Sequence, residues 1–391
     1  MFATPLNPQR ILLNTRSSLT QHIYRAVGAI ANDHRYYYNC TSRPGSRGQQ
    51  FLRRISTAPT PTLQHPNVNS HNHNHNHNMT TAVFKHIDVS SQPEGTKKPW
   101  SKVDADVASF SRTEVTRDVS DLRAQDPAAF TTDTAGFSLH KAPTASTPDW
   151  FFPATTPTED KVRGAYYAEI EALLREQLPT KPSRIVIFDH TIRRRTPDAL
   201  RTPVQQVHVD QTSGAAAARV RRHVLDPEDA ERLLRGRYQI VNVWRPIGHA
   251  ASDMPLGVVD WRSTTPADFV PVDLLYPLAQ ERESADGDRN VGGRERRADK
   301  STWHSTEGYE VRGETLGVLA NPAHRFYYAP DMRPDEVLFL KCYDSFGQGE
   351  LPHGRPGLAV GSPHTAFVDP KTPPDAPPRQ SIEVRCLVFY D

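Results

Sequence analysis

The chain beyond Pro179 is a succession of short β-type runs, and this pattern limits the possible folds more than any other feature. Eight runs are rich in β-branched or aromatic residues and are bounded by Pro, Gly, Asp or Asn: RIVIFDHTIRRR, QQVHVDQT, YQIVNVWRPI, PLGVVDW, HRFYYAP, DEVLFLKCYDS, HTAFVD and SIEVRCLVFYD. One helix is predicted among them, at DPEDAERLLRGR, because Asp226 can cap it and Pro227 suits its first turn. Many short strands with few helices predict a mainly β fold, a sandwich or a jelly roll.

The strand-rich part is preceded by two segments of different composition. Residues 81–158 hold many Pro, Thr, Ser and Asp residues and predict an extended arm, whose aromatic residues Trp150, Phe151 and Phe152 are expected to dock on the core. The next segment, EDKVRGAYYAEIEALLREQL, has apolar residues at helical spacing and predicts a flanking helix.

The helix and the strands together predict one domain at residues 159–391. Residues 281–312 of this domain are charged and contain Gly, which predicts a surface insertion. Residues 1–80 hold eight arginines, no lysine and Asp33 as the one acidic residue, which is typical of a mitochondrial transit peptide. A disordered tail, or upstream sequence translated only in a gene model, fits the same composition. We therefore predict a disordered or transit-like N-terminal region that the folded domain does not need.

Charge, hydropathy pattern and cysteine content exclude several classes of protein. The net charge of +2 gives no bulk electrostatic attraction to nucleic acid. No run of about 18 or more apolar residues is present, so we expect no membrane span. The three cysteines fit neither a disulfide framework nor a zinc motif, which makes a reducing compartment the default. We expect a cytoplasmic protein, or a mitochondrial one if the N-terminal region is a targeting signal.

The stretch QQVHVDQT places His208 and Asp210 two residues apart in a β-type run. The same spacing occurs at His86 and Asp88, and a chain with 17 histidines is expected to contain such pairs by chance. Context separates the two pairs, because His208 lies among predicted strands whereas His86 precedes a polar linker. Residues i and i+2 of a strand share one face, so His208 and Asp210 can reach one ion.

A third ligand must come from another strand. His364, at the start of HTAFVD, is the best candidate, and His324 and His249 are rivals that could equally be polar strand-end residues. Two imidazoles and one carboxylate on one face form the donor set of non-haem Fe(II) sites, which leaves coordination positions open. We therefore predict an iron site built from His208, Asp210 and His364.

A second polar group follows fifteen residues after His364, where Arg379 and Ser381 stand two apart in RQSIEV. Arginine presents a planar bidentate fork to a carboxylate and serine adds a hydroxyl, so this pair suits the distal carboxylate of 2-oxoglutarate. Arg385 is the nearest rival, because it stands an even number of residues from Arg379. Asn242, in NVWRPI, could position co-substrate or substrate, and a framework role for this stretch is the alternative.

From about Ile185 onward the chain resembles the fungal gibberellin-desaturase-like hydroxylase/desaturase family, which is related to the cephamycin 7α-methoxylation protein. The resemblance rests on VHVDQT, RVRRHV, NVWRPI, PLGVVDWRS, HRFYYAPDMRPDEVLFLKCYDS, PHTAFVDP and APPRQSIEVRCLVFYD, in this order. It implies a double-stranded β-helix (jelly roll) and oxidation of a small-molecule secondary metabolite, with Fe(II), 2-oxoglutarate and O₂ required and ascorbate in support. By position, the iron ligands are then His208, Asp210 and His364, and the 2-oxoglutarate clamp is Arg379 and Ser381.

Other functions remain open from the sequence. The chain could be a metal-binding jelly-roll protein that assists a partner enzyme, such as a methyltransferase, without turnover of its own. It could also be a non-catalytic binding module, in which His208, Asp210 and His364 would lie apart. Within the oxygenase prediction, hydroxylation and desaturation are both compatible with these residues, because the outcome depends on where the substrate lies.

Overall fold

Short strands dominate the structure, a computed structural model that describes residues 79–390 except 91, 93–97, 104–105, 153–160, 197–198, 200, 279–304 and 351. The strands in this part of the chain are β1 Met79–Asp88, β2 Trp100–Lys102, β3 Ser111–Asp121, β4 Phe137–Lys141, β5 Arg184–Arg194, β6 His208–Val209, β7 Tyr238–Pro246, β8 Leu256–Val259, β9 Phe269–Pro277, β10 Tyr309–Val318, β11 Phe326–Tyr328, β12 Glu336–Asp344, β13 His364–Ala366 and β14 Gln380–Phe389. Each of the eight predicted β-type runs contains one of these strands; β9 and β10 are additional beyond Pro179, and β1 to β4 lie before the predicted strand-rich part.

Few helices accompany these strands. In the described ranges the longer ones are α1 Pro148–Phe151, a π-helical turn Val162–Tyr166 continued by α2 Tyr167–Gln177, α3 Ser213–His223 and α4 Pro227–Leu234. Four 3₁₀ turns accompany them in the same ranges, Leu122–Ala124, Pro127–Ala129, Trp261–Ser263 and Pro266–Asp268. The helix predicted at DPEDAERLLRGR is confirmed as α4, where the side chain of Asp226 accepts a hydrogen bond from the backbone N–H of Glu228. None of the helices in the described ranges is both long and apolar enough to cross a membrane.

The strands form two sheets that face each other. One has the order β1-β3-β11-β8-β13-β6-β10-β9-β2 and the other the order β4-β12-β7-β14-β5. Apolar side chains from both sheets meet in one buried cluster, in which Phe137 and Trp244 of the five-stranded sheet pack with Val258 and Tyr327 of the nine-stranded sheet. This is the predicted double-stranded β-helix, and its interior opens next to β6, β13 and β14.

Helix α2 covers the outer face of the five-stranded sheet. Tyr166, Ile170 and Leu174 are buried at helical spacing and pack against valines of β7 and β14. Phe151 is buried in the same cluster, with Trp150 and Phe152 packed against it. The predicted flanking helix is therefore present and supports the sheet from outside.

Residues 79–141 contribute strands to both sheets. Strand β1 pairs with β3 along its whole length, and β4 pairs with β12. Ala82, Phe84 and Ile87 of β1 are buried. The range predicted as an arm thus holds core strands, while the division into arm and catalytic domain stays a prediction. The N-terminal region through residue 78 and residues 281–304 of the predicted insertion lie outside the described residues.

Candidate metal centre

Pairing between two short strands brings the three predicted ligands together. His208 of β6 lies directly opposite His364 of β13, and Asp210 follows β6 by one residue. The Oδ1 atom of Asp210 lies 3.3 Å from Nε2 of His208 and 3.8 Å from Nε2 of His364. One donor atom from each of the three residues lies within 4.8 Å of the others, so the group could hold one metal ion.

The backbone orients both imidazole rings. Nδ1 of His208 lies 2.7 Å from the carbonyl oxygen of Gln206, and Nδ1 of His364 lies 2.9 Å from that of Ser362. Each Nδ1–H donates to its carbonyl, which places Nε2 of both rings on the side of Asp210, where it can bind a metal once it carries no proton. Metal-ligating histidines use this arrangement, because the second nitrogen fixes the tautomer and the ring orientation.

The carboxylate of Asp210 is held from its other side. The amide Nδ2 of Asn242 donates a 2.7 Å hydrogen bond to Oδ2 of Asp210, and Asn242 is fully buried in β7. Burial alone would raise the pKa of Asp210, but the hydrogen bond from His208 and the charges of His364 and Arg385 hold that pKa well below its usual range. Burial, by contrast, lowers the pKa of His364. An ionised carboxylate and a neutral imidazole are the forms that bind a metal.

The three side chains line a small open cleft between the sheets, with a volume of about 50 Å³. Its other lining residues are Thr191, Arg193, Val204, Trp244, Leu256, Thr365, Ala366, Arg379, Ser381, Glu383 and Arg385. The predicted clamp residues Arg379 and Ser381 therefore share one cleft with the predicted iron ligands. Strand alternation explains this, because residues 379, 381, 383 and 385 face the same side of β14.

The guanidinium of Arg379 is buried, and no carboxylate among the described residues forms an ion pair with it. Its Nη1 donates to the carbonyl oxygen of Met254 at 2.6 Å, its guanidinium carbon lies 5.6 Å from the ring centre of Trp244, and its Nε has no hydrogen-bond partner among the described residues. Burial, together with the charge of Arg193, lowers the pKa of Arg379 to about 9. A buried cation with an unpaired donor fits an anionic ligand, since an unpaired buried donor is costly.

All three guanidinium nitrogens of Arg385 donate hydrogen bonds to side chains, in contrast to those of Arg379. Its Nη1 donates to Asp189 at 2.9 Å, its Nη2 to the hydroxyl of Thr191 at 2.8 Å, and its Nε to Glu383 at 3.3 Å. Burial alone would lower the pKa of Arg385, but the carboxylates of Asp189 and Glu383 raise it above its usual value. Of the two arginines weighed from the sequence, Arg379 is the one free to bind a co-substrate.

The rival histidines lie away from the cleft. His324 places Nε2 3.1 Å from Asp268, and its ring centre lies 6.0 Å from that of the buried His86. His249 has Nδ1 2.9 Å from the carbonyl oxygen of Ala250. Neither of the two rivals lines the cleft.

Comparison with known proteins places the chain in a family. The family model described as "Oxidoreductase/YMDC permease-like domain" matches residues 84–389. The hydroxylase/desaturase efuI of Hormonema carpetanum is 32% identical over 289 residues, 70% of this chain and 83% of that protein. The Fe(II)/2-oxoglutarate-dependent dioxygenase nvfI of Aspergillus novofumigatus is 32% identical over 230 residues, 58% of this chain and 67% of that protein. This chain belongs to the fungal hydroxylase/desaturase family.

A solved structure agrees with this membership. A structure of the iron and alpha-ketoglutarate-dependent endoperoxidase NvfI matches 80% of this hydroxylase/desaturase and 98% of that chain, with a TM-score of 0.61 at 27% identity. The family resemblance predicted from the sequence is thereby confirmed, and with it the jelly-roll fold. The relatives that are named by activity are enzymes, which gives no support to a role as an accessory protein.

Two charged residues of the cleft were not predicted from the sequence. Arg193 belongs to the β5 run RIVIFDHTIRRR, and Glu383 follows Ser381 by two residues. Because side chains alternate along a strand, an inward-facing Arg379 already implies that Glu383, four residues later, also faces inward. Arg193 carried no comparable signal, because a run of three arginines does not show which one faces inward.

We predict that Asn242→Ala weakens iron binding roughly 10- to 100-fold, as loss of groups that orient metal ligands generally does. The amide of Asn242 holds Oδ2 of Asp210, so its loss frees the carboxylate to turn. Equilibrium Fe(II) binding measures the effect, and Asn321→Ala is the control, because Asn321 donates to Asp268 away from the cleft. A higher KM for 2-oxoglutarate with unchanged iron affinity would show instead that Asn242 contacts the co-substrate directly.

Proposed function

We propose that this hydroxylase/desaturase binds Fe(II) through His208, Asp210 and His364 and holds the distal carboxylate of 2-oxoglutarate with Arg379 and Ser381. One observation carries the proposal: two histidines and a carboxylate converge in the same cleft as a buried arginine with an unpartnered donor. Two imidazoles and one carboxylate suit iron with open positions, and the arginine suits a carboxylate.

The enzyme is an Fe(II)/2-oxoglutarate-dependent oxygenase, and its own residues supply binding and orientation. When bound, iron would couple the oxidative decarboxylation of 2-oxoglutarate by O₂, which gives succinate and CO₂, to the oxidation of a substrate C–H bond. His208 and His364 keep their Nε2 atoms aimed at one point through the carbonyls of Gln206 and Ser362. Arg379 fixes the far end of the co-substrate, which sets the direction of its 2-oxo acid end.

The substrate is a small-molecule secondary metabolite, for which the apolar side chains of Val204, Trp244 and Leu256 provide part of the cleft wall. Net insertion of one oxygen atom from O₂ at a substrate C–H bond would give an alcohol, and net removal of two hydrogen atoms would give an alkene. Both outcomes fit the same residues, and ascorbate supports turnover by keeping iron reduced. The enzyme acts in the cytoplasm, or in mitochondria if residues 1–80 direct import, and a partner enzyme of the same biosynthetic pathway supplies its substrate.

The test is succinate formation by the purified protein with Fe(II), ascorbate and 2-oxoglutarate, with and without a metabolite extract of the host. We expect succinate above the background of iron-free and 2-oxoglutarate-free reactions, and more succinate when the extract contains the substrate. A protein that binds iron but never consumes 2-oxoglutarate would contradict the proposal and favour the role of assisting a partner enzyme.

A further inference from the structure

A row of charged side chains crosses two neighbouring strands beside the metal centre. In the pairing of β5 with β14, Arg193 lies opposite Ser381, and Asp189 lies opposite Arg385. Residues directly opposite in an antiparallel pair project from the same face, with Cβ atoms about 4.5–5.5 Å apart. Arg193 therefore stands next to Ser381, and diagonally next to Arg379, on the floor of the cleft.

Arg193, like Arg379, has few partners. Within the described part of the chain its guanidinium makes one hydrogen bond, from Nη1 to the carbonyl oxygen of Thr202 at 2.9 Å. Burial lowers the pKa of Arg193, and the charges of Arg201 and Arg385 lower it further, whereas Glu383 opposes the shift. Two arginines in one cleft thus have uncommitted donors, in contrast to Arg385.

The carboxylates whose charges act on these two arginines, Asp210, Asp253 and Glu383, already accept hydrogen bonds from other groups. Asp253 accepts from Nη1 of Arg195 at 2.5 Å and from the backbone N–H of Arg379 at 3.1 Å. Glu383 accepts from Nε of Arg385. Two neighbouring guanidinium groups repel each other, and an anion between them removes that repulsion. The guanidinium groups of Arg193 and Arg379 are therefore suited to bind one carboxylate together.

We propose that Arg193 is a second arginine of the co-substrate site. Arg193 and Arg379 bind the distal carboxylate of 2-oxoglutarate from two sides, and this makes the enzyme selective for a dicarboxylic 2-oxo acid. This inference rests on the proposed function. Ser381 lies opposite Arg193 and two residues from Arg379 on the same face, so its hydroxyl can donate to the same carboxylate. A monocarboxylic 2-oxo acid such as 2-oxovalerate lacks the group that both arginines hold.

The experiment measures binding of 2-oxoglutarate and of 2-oxovalerate to the metal-free protein by calorimetry. With no metal present, the distal carboxylate site supplies most of the difference between the two acids. We expect Arg193→Met to weaken 2-oxoglutarate binding roughly 10- to 100-fold, because charge-assisted hydrogen bonds to the carboxylate are lost. Binding of 2-oxovalerate should stay as in the wild-type protein, and Arg193→Lys should be intermediate, because it keeps the charge without the fork.

Arg194→Met is the matched control. Arg194 is the next residue of β5, and its guanidinium carbon lies 5.0 Å from the ring centre of Phe152, outside the cleft. This variant should bind 2-oxoglutarate like the wild-type protein. Equal weakening of both acids by Arg193→Met, or unchanged 2-oxoglutarate binding with loss of substrate-dependent turnover, would overturn the inference. A wild-type protein that neither binds 2-oxoglutarate nor forms succinate would overturn the proposed function itself.

Discussion

Replacing His364 by alanine is expected to lower turnover about 10³-fold or more, because a catalytic metal contributes several kcal/mol to the barrier and each 1.36 kcal/mol is tenfold in rate. His364 supplies one of three donor atoms that lie within 4.8 Å of one another, so its loss weakens iron binding first. Equilibrium Fe(II) binding and succinate formation, measured on the same preparation, show whether both are lost together.

His249→Ala is the control for this substitution. His249 contacts the carbonyl oxygen of Ala250 and does not line the cleft, so both iron binding and turnover should stay at the wild-type level. If His364→Ala keeps its iron and its activity, the proposed metal centre is wrong. Circular dichroism of His364→Ala separates loss of the ligand from loss of the fold, since His364 is itself buried.

Arg379→Lys is expected to raise the KM for 2-oxoglutarate roughly 10- to 100-fold, because lysine keeps the charge but loses the bidentate fork. Arg379 is buried and has an unpartnered Nε in the cleft, so a co-substrate carboxylate is the partner it lacks. Iron affinity should stay nearly unchanged, because Arg379 contacts none of the three proposed ligands. Steady-state kinetics with 2-oxoglutarate as the varied compound, at saturating Fe(II), measure the effect.

Arg385→Lys is the comparison that identifies the clamp. Arg385 is held by Asp189, Thr191 and Glu383, so its replacement should lower thermal stability and leave the KM for 2-oxoglutarate nearly unchanged. An unchanged KM in Arg379→Lys together with loss of 2-oxoglutarate turnover in Arg385→Lys would assign the clamp to Arg385. If neither change affects 2-oxoglutarate turnover, the co-substrate proposal is wrong.

Local patterns were sufficient for much of the fold. The eight β-type runs beyond Pro179 each contain a strand, because β-branched and aromatic residues bounded by turn-forming residues are a short-range signal. The helix Pro227–Leu234 was predicted from its cap for the same reason. The helix Ser213–His223 was missed, although Thr212 caps it by accepting from the backbone N–H of Ala215, and the alanines that follow are strong helix formers.

Strands with polar or mixed faces could not be predicted from the sequence. Strand Ser111–Asp121 is exposed or only partly buried at every position except Val119, so it lacks the alternation that marks a half-buried strand. Its pairing with Met79–Asp88 on one side and Phe326–Tyr328 on the other keeps it in the sheet. Such pairing joins residues far apart in the chain, and no local pattern contains that information.

By itself the sequence determined which residue types could do the chemistry. The spacing of His208 and Asp210, and that of Arg379 and Ser381, put each pair on one face of its strand, because side chains alternate with a period of two. Only the tertiary structure decided which groups meet and which are free. His364 joins the first pair through the register of β13 on β6, and Asp189 neutralises Arg385 through the register of β5 on β14. The physical reason is that these contacts depend on strand pairing across long sequence separations, which turns one arginine into a framework residue and leaves its neighbour free to bind an anion.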